Sequence, residues 1–393
     1  MVEESANDVA TGHFTDPTFP WTDPVIRSAT PALPKASGRV GALKREAIQS
    51  TAMLLEGTIL RGRSFQPVEG RVVVENGTIE AIEEADARSD DIILPAFVNA
   101  HTHIGDSIAK EAGEAGEGLT LEGLVTPPDG LKHRLLEQAD RSELVAAMAE
   151  TLSFMEENGT AAFIEFREGG VEGVEAIEEV LGNANVESVI LGRETIEAME
   201  ESDGFGASGA NDADFTRERN ATARAGKLFG IHAGEINSSD INPALDLDPD
   251  FLVHMVHAEK LHLERIADSE TPVVVCPRSN AVTDVGLPPV GDLLEATTVA
   301  LGTDNVMLNS PSMFREMELT AKLTDASTTD VLRMATINGA EIADLDCGLI
   351  EEGREARLIV LDGTSPNLSG AKDPGRAVVR RAGVHDIKEI IRP

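Results

Sequence analysis

The chain has only two cysteines, Cys276 and Cys347, among 393 residues. That is too few for a disulfide framework, and neither belongs to a C-x-x-C pair of the kind that holds zinc. No apolar run is long enough to predict a membrane-spanning helix. No basic segment followed by an apolar one opens the chain, so no secretory leader is read and a cytoplasmic location is the expectation. No internal repeat is visible. No G-x-G-x-x-G follows an early strand, which leaves a dinucleotide crevice without support.

Basic residues are scarce too: 33 Lys and Arg face 69 Asp and Glu, a formal net charge of −36. A field of that sign repels phosphate backbones and argues against a nucleic-acid partner. It does not signal disorder, because 41% of the residues are hydrophobic and apolar spacing persists between the acids. The acids are spread along the chain, as in VEESANDVA and EEADARSDD. The pattern resembles proteins of salt-loving microbes, whose acidic surfaces stay hydrated in molar salt.

The texture changes at Met53. Residues 1–52 hold Pro- and Thr-rich stretches such as TDPTFPWTDP without sustained periodicity. They read as a poorly ordered extension or as a mis-assigned start, with Met53 the true initiator. From Met53, MLLEGTILRG, GRVVVENGTIEAIEE and DDIILPAF are short β-rich segments, with a hairpin turn at Asn76-Gly77. The same texture returns near the C-terminus in REARLIVLDG and GRAVVRRAGV. Between these ends, strands alternate with helices. SELVAAMAETLSFMEENG reads as a helix closed by Gly159, TAAFIEF as a strand, GGVEGVEAIEEVLG as a helix. SVILGRE, KLFGIHAGE, DFLVHMVHAE, TPVVVCPRSN and TTVALGTDN follow as further strands. About eight strands in this alternation predict a closed (β/α)₈ barrel of the TIM type, with a doubly wound open sheet as the alternative.

These strands stop at groups that bind metals or move protons. FVNA ends at His101-Thr102-His103, FGI at His232 with Glu235 following, and FLV at His254 with His257 following. VVVC ends at Pro277-Arg278-Ser279-Asn280 and VAL at Gly302-Thr303-Asp304. In a barrel the C-terminal ends of all strands open on one face, so distant residues converge there. Residues i and i+2 of a strand share a side, so His101 and His103 can grip one ion. A third imidazole and one carboxylate would nearly complete a shell for zinc or ferrous iron, leaving a position for water. Such a metal lowers the pKa of its water to about 7. Glu235 or Asp304 could then shuttle the proton, and His254 could stabilise developing charge. Arg167, Arg193 and Arg278 could meet an anionic group. Taken singly, each signal is weak. An H-x-H pair is usually two polar residues at a strand end, a lone buried His is usually a hydrogen-bonded core residue, Asp304 could be a cap, and Cys276 could be a small core residue. What favours a site is their recurrence at successive strand ends.

In that order, PAFVNAHTH, HAGE, LVHMVHAE, CPRSN and LGTDN resemble the amidohydrolase superfamily. The likeness is to its branch of cytosine, guanine and S-adenosylhomocysteine deaminases and triazine chlorohydrolases, and it covers about residues 53–361. The resemblance implies a small composite β-sandwich built from both chain ends, 53–93 with 340–393, beside a metal-dependent barrel over 94–339. It implies His101, His103, His232 and Asp304 as ligands to one divalent metal, zinc foremost and iron the alternative. Glu235 would be the proton shuttle, and His254 would activate water or polarise substrate. Ser279 and Asn280 match the family's seventh-strand pair and, with Arg278, Arg193 and His257, are candidate substrate contacts. The bridging lysine that binuclear members carry after strand four is missing from GFGASGANDADF, and Lys227 is misplaced for that role, which points to one metal. The usual GTDG is GTDN here, with Asn305. The long acidic loop over 106–130 suggests a lid.

The expectation is therefore hydrolytic deamination of an amino-substituted heterocycle, a nucleobase or nucleoside-like small molecule, with water activated by the metal attacking the amino-bearing ring carbon. Hydrolysis of another C–N bond, as in a cyclic amide, or of a C–Cl bond is the alternative within the same chemistry. A barrel that only binds ligand is the rival of another class. A homo-oligomer fits either reading.

Overall fold

The computed structural model describes residues 52–110, 112, 121–125, 130–182 and 184–393. The extension expected over 1–52 lies outside the described residues up to position 51. So does much of the acidic loop read as a lid.

Two sheets organise the chain. The smaller takes its first strands from β1 (Met53–Arg61), β2 (Gln66–Glu75), β3 (Thr78–Glu84) and β4 (Ile92–Pro95). The larger is built from β5 (Phe97–His103), β6 (Thr160–Arg167), β7 (Glu187–Gly192), β8 (Gly204–Ala207), β9 (Leu228–Ala233), β10 (Phe251–His254), β11 (Val273–Val275), β12 (Val299–Leu301) and β13 (Asp304–Asn305). The chain then returns to the smaller sheet with β14 (Leu358–Leu361) and β15 (Ile387–Ile391). The smaller sheet runs β15-β14-β4-β1-β2-β3, so both ends of the described chain share it. Its inward residues, among them Ile59, Val72, Ile79, Ile93 and Leu358, form a core of their own. The β2–β3 turn falls at Asn76-Gly77, with φ of 50° and 78°, as the dipeptide predicts.

The run ILPAFVNAHTH proves to be two strands. Ile92–Pro95 belongs to the smaller sheet, where Pro95 pairs with Leu358, and Ala96 N donates to Arg357 O at 2.9 Å. The chain then enters the barrel as β5.

Strands β5 to β12 are hydrogen-bonded in sequence order and parallel. Closure comes from the last strand, which bends at Gly302-Thr303. Gly302 N donates to Val275 O on β11 and Thr303 N to His101 O on β5, each at 3.0 Å. Beyond the bend, Asp304 and Asn305 pair with Thr102 and His103. A Cβ at position 302 would meet His101 Cβ at 2.7 Å, so only glycine lets the eighth strand cross so near the first. Eight strands thus close, as predicted, around an interior packed with Ile164, Phe166, Val189, Phe251, Val253 and Cys276. Each large side chain buried there contributes about 1.5–3 kcal/mol. Helices Arg141–Glu157, Gly170–Leu181, Lys260–Ser269 and Val290–Ala296 lie where the apolar spacing puts them. The first of them is closed by Gly159 at φ 83°.

One β-rich reading is corrected. GRAVVRRAGV is not a strand but the core of the helix Pro374–Arg381. Asp373 caps it, accepting from Arg376 N at 2.9 Å, and Pro374 stands at its first position. Val378 and Val379 are buried in the same core as Met317 and Leu332 of the barrel helices. The start signal outweighs the strand preference of the paired valines. Among the described residues no helix is long and apolar enough to cross a membrane.

Gly206, in the short strand β8, faces the Phe166 ring: an added Cβ would lie 2.7 Å from it. Gly206→Val should therefore lower unfolding free energy by about 1–3 kcal/mol in urea titrations. An unchanged midpoint and slope would contradict this packing.

Candidate metal and active site

The ends of β5, β9, β10 and β13 meet at the mouth of the barrel. There His101, His103, His254 and Asp304 are buried, and His232 is partly so. His101 Nε2 stands 3.2 Å from His232 Nε2 and 3.3 Å from Asp304 Oδ1. His103 Nε2 is 3.5 Å from the same Oδ1. Donor atoms of His101, His232, His254 and Asp304 all lie within 4.8 Å of one another, a group that takes in His254 and not the expected ligand His103.

The second nitrogen of each imidazole decides what the first can do. His232 Nδ1 is 2.9 Å from Ala207 O, so it carries the proton and leaves Nε2 bare. His103 Nδ1 lies 2.7 Å from Glu168 Oε1 and 3.1 Å from Phe166 O, again leaving Nε2 bare. A carboxylate behind a histidine in this way fixes its tautomer and raises its basicity as a ligand. His254 is different. The Asn280 amide nitrogen, a donor only, is 3.1 Å from its Nδ1. The proton of neutral His254 then sits on Nε2, which faces Glu235 Oε2 at 3.6 Å.

Electrostatics sharpen the same division. Burial drives His101 and His232 below the ordinary imidazole value and pushes His103 down to about 3, so all three are neutral at neutral pH. Burial opposes ionisation of Asp304, but the approach of His101 and the other imidazoles holds its carboxyl well below the usual range. Ser279 Oγ donates to Asp304 Oδ2 at 2.6 Å, while Oδ1 has no hydrogen-bond donor. Bare nitrogens and an anionic oxygen packed this closely, away from water, are the surroundings that a divalent cation relieves. The residues present therefore fit a metal. His254 and Asp304 also hold positive φ, 78° and 59°, a strain of about 1–3 kcal/mol for a side-chain-bearing residue.

A cavity of about 370 Å³ opens over this cluster. Glu235 lines it beside His103, His232, His254 and Asp304, and burial raises its carboxyl to about 7 against the opposing pull of His254. Arg193 lines it as well and donates to Glu168 Oε1 at 2.9 Å. The other candidate substrate contacts are not among the residues lining this cavity. Ser279 and Asn280 instead hold Asp304 and His254. Arg278 donates to Ser310 O at 3.0 Å and its backbone N–H to Glu316 Oε1 at 2.9 Å. The backbone N–H of His257 donates to Gly234 O at 2.9 Å. Lys227 sits among the carbonyls of Met199, Glu200 and Ser202, and β8 carries no lysine.

Sequence reasoning missed Glu168 and Lys132. Glu168 is buried among Lys132, Arg193 and Arg167, at 2.6, 2.9 and 3.8 Å. Its position directly after the strand FIEFR was the available signal; Lys132, inside a helical stretch, offered none.

Comparison with known proteins now bears on the site. A family model described as the amidohydrolase family matches residues 92–384. The chain belongs to the amidohydrolase family. A putative aminohydrolase of Methanothermobacter thermautotrophicus is 36% identical over 381 residues, covering 85% of this chain and 96% of its own. A 5-methylthioadenosine/S-adenosylhomocysteine deaminase of Haloarcula marismortui is 28% identical, covering 77% of this chain and 79% of its own. Among solved structures, an adenosine deaminase of Xanthomonas campestris with bound zinc superposes with a TM-score of 0.73 at 20% identity, covering 86% of this amidohydrolase and 91% of its own chain. At that identity the likeness speaks for the fold.

Glu165 supplies a test of the buried network around the H-x-H segment. Both its oxygens accept from Ile104 N, at 2.9 and 2.8 Å, and Thr102 Oγ1 lies 2.7 Å from Oε2. Burial raises its pKa from 4.5 to about 8. The folded chain holds this proton more tightly than the unfolded one, so the contribution is full at low pH and lost as pH rises toward 8. Relative to Glu165→Gln, which does not titrate, the wild type should lose stability between about pH 5 and 8. Parallel pH–stability curves would contradict the assignment.

Proposed function

We propose that this amidohydrolase is a metal-dependent deaminase of an amino-substituted heterocycle, a nucleobase or nucleoside-like compound. The observation that carries the reading is Glu235: a half-buried carboxyl raised to about 7, lining the same cavity as three imidazoles and a carboxylate. A group titrating near the working pH both accepts and returns a proton. The Haloarcula relative, named for deamination of adenosine-type thioethers, supports the class of substrate.

His101, His103, His232 and Asp304 would hold one divalent metal, with zinc the first choice. His254 stands apart from that set because its Nε2 carries a proton. A bound divalent ion supplies a nucleophile from water near neutral pH. Glu235 takes one proton from the attacking water and gives it to the ring nitrogen, then takes the second from the newly added hydroxyl and gives it to the departing amine, which leaves as ammonia. His254 donates from Nε2 to the incoming oxygen. The new C–O bond replaces the C–N bond, so that amine and water become oxo product and ammonia. Burial of the cluster strengthens each of these interactions. We place the reaction in the cytoplasm, supported by two cysteines that are both free and buried.

The test is ammonia release from a panel of aminopurines, aminopyrimidines and pterins, with zinc- or iron-loaded protein in high salt. Activity should vanish on chelation and return with metal. Glu235→Gln should keep its metal and lose about 10²–10⁴-fold in rate. Full activity in that variant, or two tightly held ions per chain by elemental analysis, would overturn the reading.

A further inference from the structure

Lys132 is a cation beside the cluster that no motif accounts for. It lies in the helix Leu131–Gln138, its side chain is only 2% exposed, and it lines the cavity with His103 and Asp304. A lysine is almost never so buried unless it is paired. Its ammonium has three donors. One goes to Glu168 Oε1 at 2.6 Å and one to Asn305 Oδ1 at 3.1 Å. Among the described residues the next acceptor, Asp106 Oδ2, forms an ion pair at 3.7 Å but stands beyond hydrogen-bond distance and has no hydrogen-bond partner itself, so the third N–H makes no hydrogen bond there. Glu168 Oε1 also takes His103 Nδ1, at 2.7 Å, so the ammonium stands one shared oxygen away from a cluster histidine. Asn305 is the residue at which LGTDN departs from the family's usual GTDG. Its amide oxygen accepts from Lys132, an anchor that a glycine could not supply.

We infer that Lys132, anchored by Asn305, is a specificity-determining residue whose third N–H meets an oxygen acceptor on the substrate. The substrate is then an amino-heterocycle bearing an oxo group on the ring or a carboxylate on its substituent. The class rests on the deaminase reading; the cation and its uncommitted donor do not.

The test is calorimetric binding to zinc-loaded Glu235→Gln protein, which holds substrates without turning them over. Cytosine against 4-aminopyrimidine probes a ring oxo group. Adenosine-5′-carboxylate against 5′-deoxyadenosine probes a carboxylate. In one pair the oxygen-bearing member should bind about 10–100-fold tighter, the range for a hydrogen bond to a charged group. Adding Lys132→Met should erase that ratio with metal content unchanged. Should that variant not fold, Asn305→Leu, which frees the ammonium from its anchor, should narrow the ratio. Equal binding within both pairs, no binding of either oxygen-bearing compound, or a ratio that survives in the folded Lys132→Met protein or in Asn305→Leu would overturn the inference. A ratio that holds while the wild type releases ammonia from none of the four would sink deamination and leave Lys132 its role.

Discussion

The eighth strand must close on the first, and it does so over the histidines. Thr303 N donates to His101 O, and the next two residues pair with Thr102 and His103. Asp304 is thereby seated beside both imidazoles of the H-x-H segment, although some 200 residues separate them. A further bond binds the same two strands: Asn99 accepts from Thr303 N at 3.0 Å and donates to Thr303 Oγ1 at 2.7 Å. Barrel closure and site assembly are one event, so the glycine at 302 and the strained backbone at Asp304 serve both.

Around this seam lies a ring of buried partners that sets each side chain's proton. Ala207 O and Glu168 take the Nδ1 protons of His232 and His103; Asn280 donates to His254. Four histidines of one chemistry thus divide into two kinds. Two expose bare nitrogens by virtue of what stands behind them, and His254 exposes an N–H. His101, whose Nδ1 has no hydrogen-bond partner, has its Nε2 against Asp304. The distinction that matters for a metal is therefore made by groups that would not touch it.

Much of this was legible in the sequence because it is carried by short-range signals. Apolar runs ending in His, Glu or Asp mark the barrel strands and the side chains that meet at their ends, and Asn76-Gly77 and Gly159 mark a turn and a cap. The strand Gly204–Ala207 was hard to read because GFGA has two glycines and no alternation. Those glycines are there for close approach: a Cβ at Gly204 would lie 2.2 Å from Leu228 O. The valines of GRAVVRRAGV suggest strand when read without Asp373 and Pro374. Ser279 and Asn280 could be placed at a strand end from sequence, but not their partners, because Asp304 and His254 come from other strands. Lys132 was illegible for a similar reason: nothing local distinguishes a lysine that enters a cavity from one on a solvated helix.

The charge balance gives that lysine its meaning. With a formal charge of −36, the chain presents an overall field that repels anions. Yet Lys132, Arg167 and Arg193, all buried, are gathered around the carboxylate of Glu168, and two of them, Lys132 and Arg193, line the cavity. Salt at molar strength shrinks the reach of the surface field to a few ångströms, about 3 Å at 1 M. Buried charges are screened far less. The cavity wall carries both signs, Lys132 and Arg193 beside Asp212, Glu235, Asp240 and Asp304, so in strong salt a ligand would be sorted by these local groups and where each stands rather than by the acids of the surface.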